Sequence, residues 1–331
     1  MAIARANENG QSMETHLNGQ SAHLENRPLV SVIMNCLNGE SYLRGAIDSV
    51  FAQTYGNWEI VFFDNASSDS SEAIAKSYGE KLRYFRSEQT IPLGAARNAA
   101  ISNARGELIA FLDTDDHWLP KKLDLQINQF LKQAEIDFAY GNFYFTRPGS
   151  DRKHLGFRRK QPQGHVFGKF LIYFPINLQT VMIRKPILDK FPELFDTTLN
   201  LAEDYDLFMR LLYNSKAGYI DQALAVYRLH LGMSSIRFAE KYPDEMVYCI
   251  DKLKTLYPKL GHEFPKELAY LDAKIAYWRA KAAILQGRMG VARALLKSHK
   301  SKGVLFAGLY YATYLPLGLW MKLQDLRLIL R

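Results

Sequence analysis

Glu107-Leu108-Ile109-Ala110-Phe111-Leu112-Asp113-Thr114-Asp115-Asp116-His117-Trp118 is the stretch from which the fold can be read. Arg105-Gly106 stops whatever precedes it, and the apolar run 108–112 has the length of a short buried strand. Its carboxyl end delivers Asp113, Asp115 and Asp116 together. Carboxylates held so close repel one another, and a divalent cation relieves the repulsion. Hard oxygen donors suit magnesium or manganese, ions that usually also hold substrate phosphates. The stretch therefore implies Mn2+ or Mg2+ and a metal-bound diphosphate. An acidic turn capping a helix that starts at Pro120, with Asp116 or His117 near the cap, would explain the same residues. The flanking sequence has to decide.

Upstream, short apolar runs at 29–34, 58–63 and 82–85 alternate with helical spacing through Leu43, Ile47, Val50 and Phe51, around Ile74, and over 94–105. Such alternation predicts a mostly parallel, doubly wound α/β sheet whose ligands bind beyond the carboxyl ends of the strands. The polar break 35–40, Asp64 and 113–116 all occupy such ends. Neither Gly-x-Gly-x-x-Gly nor a P-loop occurs, which counts against dinucleotide oxidoreductases and P-loop phosphotransferases. Gly94-Ala95-Ala96-Arg97-Asn98 is a small-residue helix start. Such starts often serve packing, but Arg97 could also reach an anionic or nucleobase ligand.

Downstream, 120–131 reads as an amphipathic helix through Leu123, Ile127, Phe130 and Leu131, followed by an aromatic-rich strand at 136–145. The segment 147–163 carries Arg152, Lys153, Arg158, Arg159 and Lys160. It is read as a solvated surface loop in preference to a mobile substrate loop. Strands follow at 178–183 and 223–227, then helices at 239–256, 265–286 and 291–298. Within these, 276–296 resembles a single helical hairpin of tetratricopeptide type, short of the roughly three units that a stack requires. The expected organisation is a disordered leader at 1–27, an α/β domain at 28–236 and a helical extension at 237–331. The polar leader is neither a signal peptide nor a transmembrane helix.

Composition narrows the location. Of the formal charge of +8, the chain from Arg237 onward holds seventeen Lys and Arg against eight Asp and Glu, so the first 236 residues sum to about −1. No nucleic-acid-binding motif accompanies the basic tail, so nucleic acid is excluded as a partner. Cys36 and Cys249 have no metal-ligand spacing and suggest a reducing compartment. Residues 273–302 carry eight Lys and Arg and no acid, and 303–321 follow as nineteen uncharged residues. This pairing suggests attachment to an anionic membrane surface, in competition with a helix buried by packing. Pro316 argues against a straight spanning helix. The expected location is cytoplasmic, peripheral on the cytosolic face of the membrane.

Six motifs now stand in order. They are Val30-Ser31-Val32-Ile33, the turn Asp64-Asn65-Ala66-Ser67-Ser68-Asp69, Gly94 with Arg97-Asn98, Leu112-Asp113-Thr114-Asp115-Asp116, Leu201-Ala202-Glu203-Asp204-Tyr205-Asp206-Leu207, and Tyr227-Arg228-Leu229-His230 with Ser234-Ser235. Together, over roughly 28–235, they resemble glycosyltransferase family 2 of the GT-A fold. The resemblance implies a mixed doubly wound sheet with helices on both faces, and inverting transfer of a sugar from a nucleoside diphosphate, uridine diphosphate in preference. The acceptor would be a hydroxyl on a glycan or a lipid-linked glycan, in cell-surface polysaccharide or glycolipid synthesis. Matched by position, Asp64 would hydrogen-bond the base, while Arg97 and Asp113 would hold the nucleoside. Asn35, Asn38, Glu40, Asn65 and Thr114 would complete the nucleotide side. Asp115 would bind the metal, His230 would be a further ligand, a diphosphate contact or an ordinary turn histidine, and Asp204 would be the general base. One departure is Met34-Asn35-Cys36-Leu37-Asn38, where many members have Pro or Thr and a Tyr before the Asn.

The chemistry agrees with these roles. Negative charge builds on the leaving diphosphate as the glycosidic bond breaks, and a single inversion needs a base on the opposite sugar face but no nucleophile. Asp204 opens a helix with Leu207, Phe208, Leu211 and Leu212 at i+3, i+4, i+7 and i+8, so its carboxylate is expected along the buried face. Complementing the helix dipole is the competing explanation for Glu203, Asp204 and Asp206. A nucleotidyltransferase is the alternative enzyme, but it needs a Gly-rich, Lys-bearing loop after the first strand, which 35–40 lacks. A catalytically inactive sugar- or partner-binding module is the other alternative, opposed by Asp113, Asp115 and Asp204.

Overall fold

The computed structural model of the protein describes residues 27–230, 232–316 and 318, so the expected leader lies outside the described residues apart from Arg27. The strands are β1 (Val30–Cys36), β2 (Trp58–Asp64), β3 (Leu82–Arg86), β4 (Leu108–Phe111), β5 (His117–Trp118), β6 (Ile136–Thr146), β7 (His154–Leu155), β8 (Met182–Arg184) and β9 (Lys216–Arg228). The helices of the first half are α1 (Glu40–Phe51), α2 (Ser71–Lys76), α3 (Leu93–Ser102), α4 (Lys122–Lys132), α5 (Phe167–Ile172) and α6 (Lys185–Leu188). Those that follow are α7 (Glu203–Leu212), α8 (Ser234–Arg237), α9 (Tyr242–Leu256), α10 (Leu260–Glu263), α11 (Pro265–Leu285), α12 (Met289–Lys297) and α13 (Val304–Ala312).

All nine strands join one sheet in the order β3-β2-β1-β4-β8-β6-β9-β5, with β7 paired on β6. The first four strands are mutually parallel, and β8 runs antiparallel between β4 and β6. This is the mixed α/β sheet that the resemblance implies. Strand alternation sorts its apolar residues onto two faces. Val32, Met34, Phe62, Ala110 and Leu112 meet Leu43, Ile47 and Val50 of α1 and Leu123, Ile127 and Phe130 of α4. On the opposite face Ile33, Val61, Ile109 and Phe111 meet Ala96 and Ala100 of α3, Phe170 of α5 and Leu207, Phe208 and Leu211 of α7. Each large side chain so buried contributes roughly 1.5–3 kcal/mol.

Gly106, read from sequence as a stop, has a more specific cause. A Cβ there would lie 2.6 Å from the Ser31 amide nitrogen, so only glycine allows the chain entering β4 to pass this close to β1. The contact is tied by the Gly106 amide donating to Ser31 Oγ at 2.8 Å, and by Ser31 Oγ donating to Glu59 at 2.6 Å.

Several local expectations change. His117-Trp118 form β5 on β9, so α4 starts at Lys122 rather than Pro120 and neither Asp116 nor His117 caps it. Leu131 is 61% exposed, off the apolar face assigned to it. The strand expected at 178–183 is a 3-10 turn, Leu178–Thr180, followed by the short β8, because the Asn177 side chain accepts the Gln179 amide and bends the chain. The strand expected at 223–227 is the end of the thirteen-residue β9, whose continuity is hidden in the sequence by exposed Asp221 and Gln222 beside a register shift against β6.

The helical extension is not a simple appendage. Met246, Cys249, Ile250 and Leu253 of α9, with Leu271 and Ile275 of α11, are buried in the same core as α7. The second half of α11 turns to a satellite core with α12 and α13, built on Ala280, Ala283, Ile284, Leu296 and Leu309. Among the described residues no helix is long and apolar enough to cross a membrane.

Candidate active site

The strand order reverses between β1 and β4, and a cleft of about 570 Å3 opens beyond their carboxyl ends. Asn35, Asn38, Arg97, Asp113, Thr114, Asp115, Asp204 and His230 all line it. Residues up to 195 apart in sequence thus meet, from five separate elements and the turns after them.

Asp113 is held from two sides. Its amide donates to Gln179 Oε1 at 2.8 Å while Gln179 Nε2 donates back to Asp113 Oδ2 at 2.7 Å. Arg97 Nη2 donates to its other oxygen at 3.1 Å. Gln179 was not picked out from the sequence, because Leu178 to Ile183 reads as an ordinary strand. The only signal was two polar residues, Gln179 and Thr180, in that run. Arg97 is buried in the cleft wall, and its other end donates to Glu203 Oε1 at 2.8 Å. A single guanidinium thereby joins the end of β4 to the start of α7.

Asp115 pairs with His230, whose Nε2 lies 2.8 Å from Oδ2. Burial and the nearby Asp113 push the Asp115 carboxyl above the usual range, partly offset by His230. Asp116, the third carboxylate that this strand end delivers, is buried. Its Oδ1 accepts the Arg228 amide at 2.7 Å, while Oδ2 has no partner among the described residues. Burial, then Asp115 and Asp113, push its carboxyl well above the usual range. Asp113, Asp115 and Asp116 each offer an oxygen within 4.8 Å of the others. An all-oxygen donor set, an orphaned buried oxygen and the raised carboxyls of Asp115 and Asp116 fit a hard divalent cation. His230 touches this set through Asp115 alone.

Asp204 sits in the first turn of α7, half-buried at the cleft, with Oδ1 accepting the Tyr205 amide at 2.6 Å. The three acids of that turn have different surroundings. Glu203 is paired with Arg97, and Asp206 is buried against Arg210 at 2.7 Å and Lys252 at 3.1 Å. Among the described residues Asp204 has no cation partner, and burial with the adjacent Glu203 raises its carboxyl to about 7 against the opposing pull of Arg97. The loop leading into α7 is gripped from α9. Glu245 Oε1 accepts the Asn200 amide at 3.0 Å and the Asn200 Nδ2 at 3.2 Å, while Oε2 accepts the amides of Leu201 at 2.9 Å and Ala202 at 3.0 Å.

Three expected nucleotide contacts are placed differently. The Asp64 carboxylate is fully buried, accepting the Ser67 amide, the Tyr84 hydroxyl at 2.6 Å and Arg86 at 2.6 Å. Burial alone would raise its pKa, but these bonds hold it below the usual range. It does not line the cleft, so it shapes the turn rather than presenting a free oxygen to a base. Asn65 pins the Ile91 backbone through both ends of its amide. Glu40 accepts the Ser70 amide at 2.9 Å at an exposed helix start. Asn35 is different. It lines the cleft with a buried Nδ2 that has no partner among the described residues, a donor free for a ligand. Asn38 adopts φ 54° and accepts the Ser68 amide, and Thr114 packs so closely on Gly39 that a Cβ there would lie 3.0 Å from its hydroxyl.

The family model described as Glycosyl transferase family 2 matches residues 31–190. An uncharacterized glycosyltransferase of Rickettsia typhi is 35% identical over 61% of this chain and 64% of its own length. An Escherichia coli protein, the UDP-Glc:alpha-D-GlcNAc-diphosphoundecaprenol beta-1,3-glucosyltransferase WfgD, is 32% identical over 63% of this chain and 79% of its own. Among solved structures, the mannosyltransferase PcManGT from Pyrobaculum calidifontis, in complex with GDP-Man and Mn2+, superposes with a TM-score of 0.58. It is 17% identical and covers 90% of this chain and 84% of that one.

Proposed function

This chain belongs to glycosyltransferase family 2, and from that premise we propose that it transfers a sugar, with inversion, from a uridine diphosphate carrier onto a hydroxyl of a lipid-linked glycan. The observation that carries this reading is the position of Asp204, among the described residues the one acid of its helix turn that is unpaired with a cation, facing the same cleft as Asp113 and Asp115. The acceptor oxygen bonds to the anomeric carbon as the bond from that carbon to the phosphate oxygen breaks. Asp204 takes the acceptor proton, and the bonding pair departs with the diphosphate. Mn2+ or Mg2+ held by Asp113, Asp115 and Asp116 would supply positive charge beside the leaving diphosphate. His230 steadies Asp115 from the opposite wall, and Arg97 with Gln179 fixes Asp113 toward the nucleoside. Asn35, Asn38 and Thr114 are assigned to the nucleotide side.

A lipid-linked acceptor is supported by what the E. coli relative acts on, a sugar carried on diphosphoundecaprenol. Apolar Leu37, Leu93, Ile176 and Leu201 beside the acids of the cleft are in keeping with such an acceptor. The test is transfer from UDP-Glc, UDP-GlcNAc and GDP-Man to a GlcNAc-diphospholipid with Mn2+, with the anomeric configuration of the product read by NMR. Transfer from a UDP sugar with inversion, abolished by chelator, is expected. Full activity in excess chelator, or no turnover of any donor, would overturn the reading.

A further inference from the structure

The helix α13 is apolar all round, yet among the described residues only one side of it is covered. Phe306, Leu309 and Tyr310 are buried against α11 and α12. On the other side Val304 is 92% exposed, with Leu305, Gly308 and Tyr311 also open to solvent at helical spacing from it, and Tyr314 following beyond the helix end. A helix with no polar face is normally enclosed by protein or lipid. The end of this helix is fixed, since Arg293 donates to the Thr313 carbonyl at 2.9 Å and stacks on Tyr314 at 3.7 Å. The open stripe is therefore presented on a rigid platform.

What borders the stripe identifies its partner. The 3-10 turn Lys300–Lys302 leads directly into α13, and Lys297, Lys300 and Lys302 are exposed beside Val304. From Ala273 to Lys302 there are eight Lys and Arg and no carboxylate. Lys297, Lys300 and Lys302 outnumber the single exposed carboxylate beside them, Asp272 at 3.7 Å from His299, so the rim stays net cationic and complements an anionic surface, and tyrosines at the edge of an apolar strip suit the boundary between headgroups and acyl chains. We propose that the open face of α13 and the basic turn preceding it dock the enzyme on an anionic phospholipid bilayer. This deepens the lipid-acceptor reading by holding the cleft near a membrane-borne substrate. The binding itself is measured without sugar transfer, so either can fail alone.

The experiment is co-sedimentation of the full chain with phosphatidylcholine vesicles, with and without phosphatidylglycerol. Wild type is expected to bind only the anionic vesicles, and added salt should weaken binding. The variant Val304→Asp/Leu305→Asp/Tyr311→Asp, and separately Lys297→Glu/Lys300→Glu/Lys302→Glu, should each lose at least tenfold in binding while keeping wild-type turnover of a soluble acceptor. A second measurement places an environment-sensitive fluorophore on Val304→Cys, where the native Cys36 and Cys249 are buried, and anionic vesicles should shift its emission to the blue. Wild type that ignores anionic vesicles, triple variants that bind as wild type does, or a label that does not shift would overturn the proposal. So would a dimer that the Asp variant dissolves, because the face would then belong to a second copy of the chain.

Discussion

Replacing Glu245 by Gln should cripple catalysis from outside the cleft. Its two carboxylate oxygens accept four N–H groups, those of the Asn200, Leu201 and Ala202 backbone and of the Asn200 side chain. Gln has one oxygen and turns an NH2 toward the remaining donors. The two bonds it keeps change from charge-assisted to neutral, a weakening of about 1 kcal/mol each, while the exposed Asn200 donors turn to water at small cost. The loss of folding stability should be about 2 kcal/mol, read from urea denaturation. The larger effect is positional. Asp204 follows the gripped loop by two residues, and a shift of about 1 Å in a reacting group costs on the order of a hundredfold in rate. The turnover number at saturating donor should fall between about tenfold and a hundredfold, with Mn2+ and donor affinity unchanged, since Asp113 and Asp115 follow β4 and are held by Arg97, Gln179 and His230. A Glu245→Gln enzyme that loses stability but keeps its turnover number would refute the argument that α9 positions the base.

Other outcomes follow from the same geometry. Asp204→Asn should lower the turnover number by roughly a hundredfold or more with donor binding retained, the usual scale for a lost general base. With the Asp204 carboxyl raised to about 7, the wild-type kcat/KM should rise with pH toward a plateau above neutrality, and a profile flat from pH 5 to 8 would contradict the base. Asp116→Asn should weaken Mn2+ binding in calorimetry. An acid whose folded pKa exceeds its unfolded value costs stability as pH rises, so in chelator the Asn variant should gain in Tm relative to wild type between pH 5 and 8. Gln179→Ala removes both bonds to Asp113 and should raise the donor Kd about tenfold, measured by titration with Mn2+ present.

The parallel half of the sheet was legible because β1, β2 and β4 are buried on both faces and read as apolar runs broken only by single polar residues such as Ser31 and Glu59. The mixed half was not. Asp221 and Gln222 interrupt β9 at a bulge, and the two-residue β5 carries too little periodicity to register. In the site, Asp113, Asp115, Asp204 and His230 could be named because their spacing travels with recognisable motifs, and all four line one cleft. Asp64 and Asn65 belong to the same motifs, and Glu40 to the polar break after β1, yet they face the turn they build, since a spacing does not reveal which way a side chain points. Glu245, Gln179 and the pairing of Arg97 with Glu203 depend on contacts between residues 43 to 106 apart. No local pattern encodes such contacts.

The grip of α9 on the loop before α7 also bears on how the enzyme comes into being. Translation proceeds from the amino end, and every recognisable motif has left the ribosome once His230 and Ser235 have emerged. At that moment Asp204 still lacks the carboxylate of Glu245 on its leading loop, and the core face of α7 still awaits Met246, Cys249 and Leu253. A nascent chain stalled at this length would carry the whole signature of its family and remain an unfinished enzyme. Activity is thus withheld until the part of the chain that looks least like a glycosyltransferase has been made.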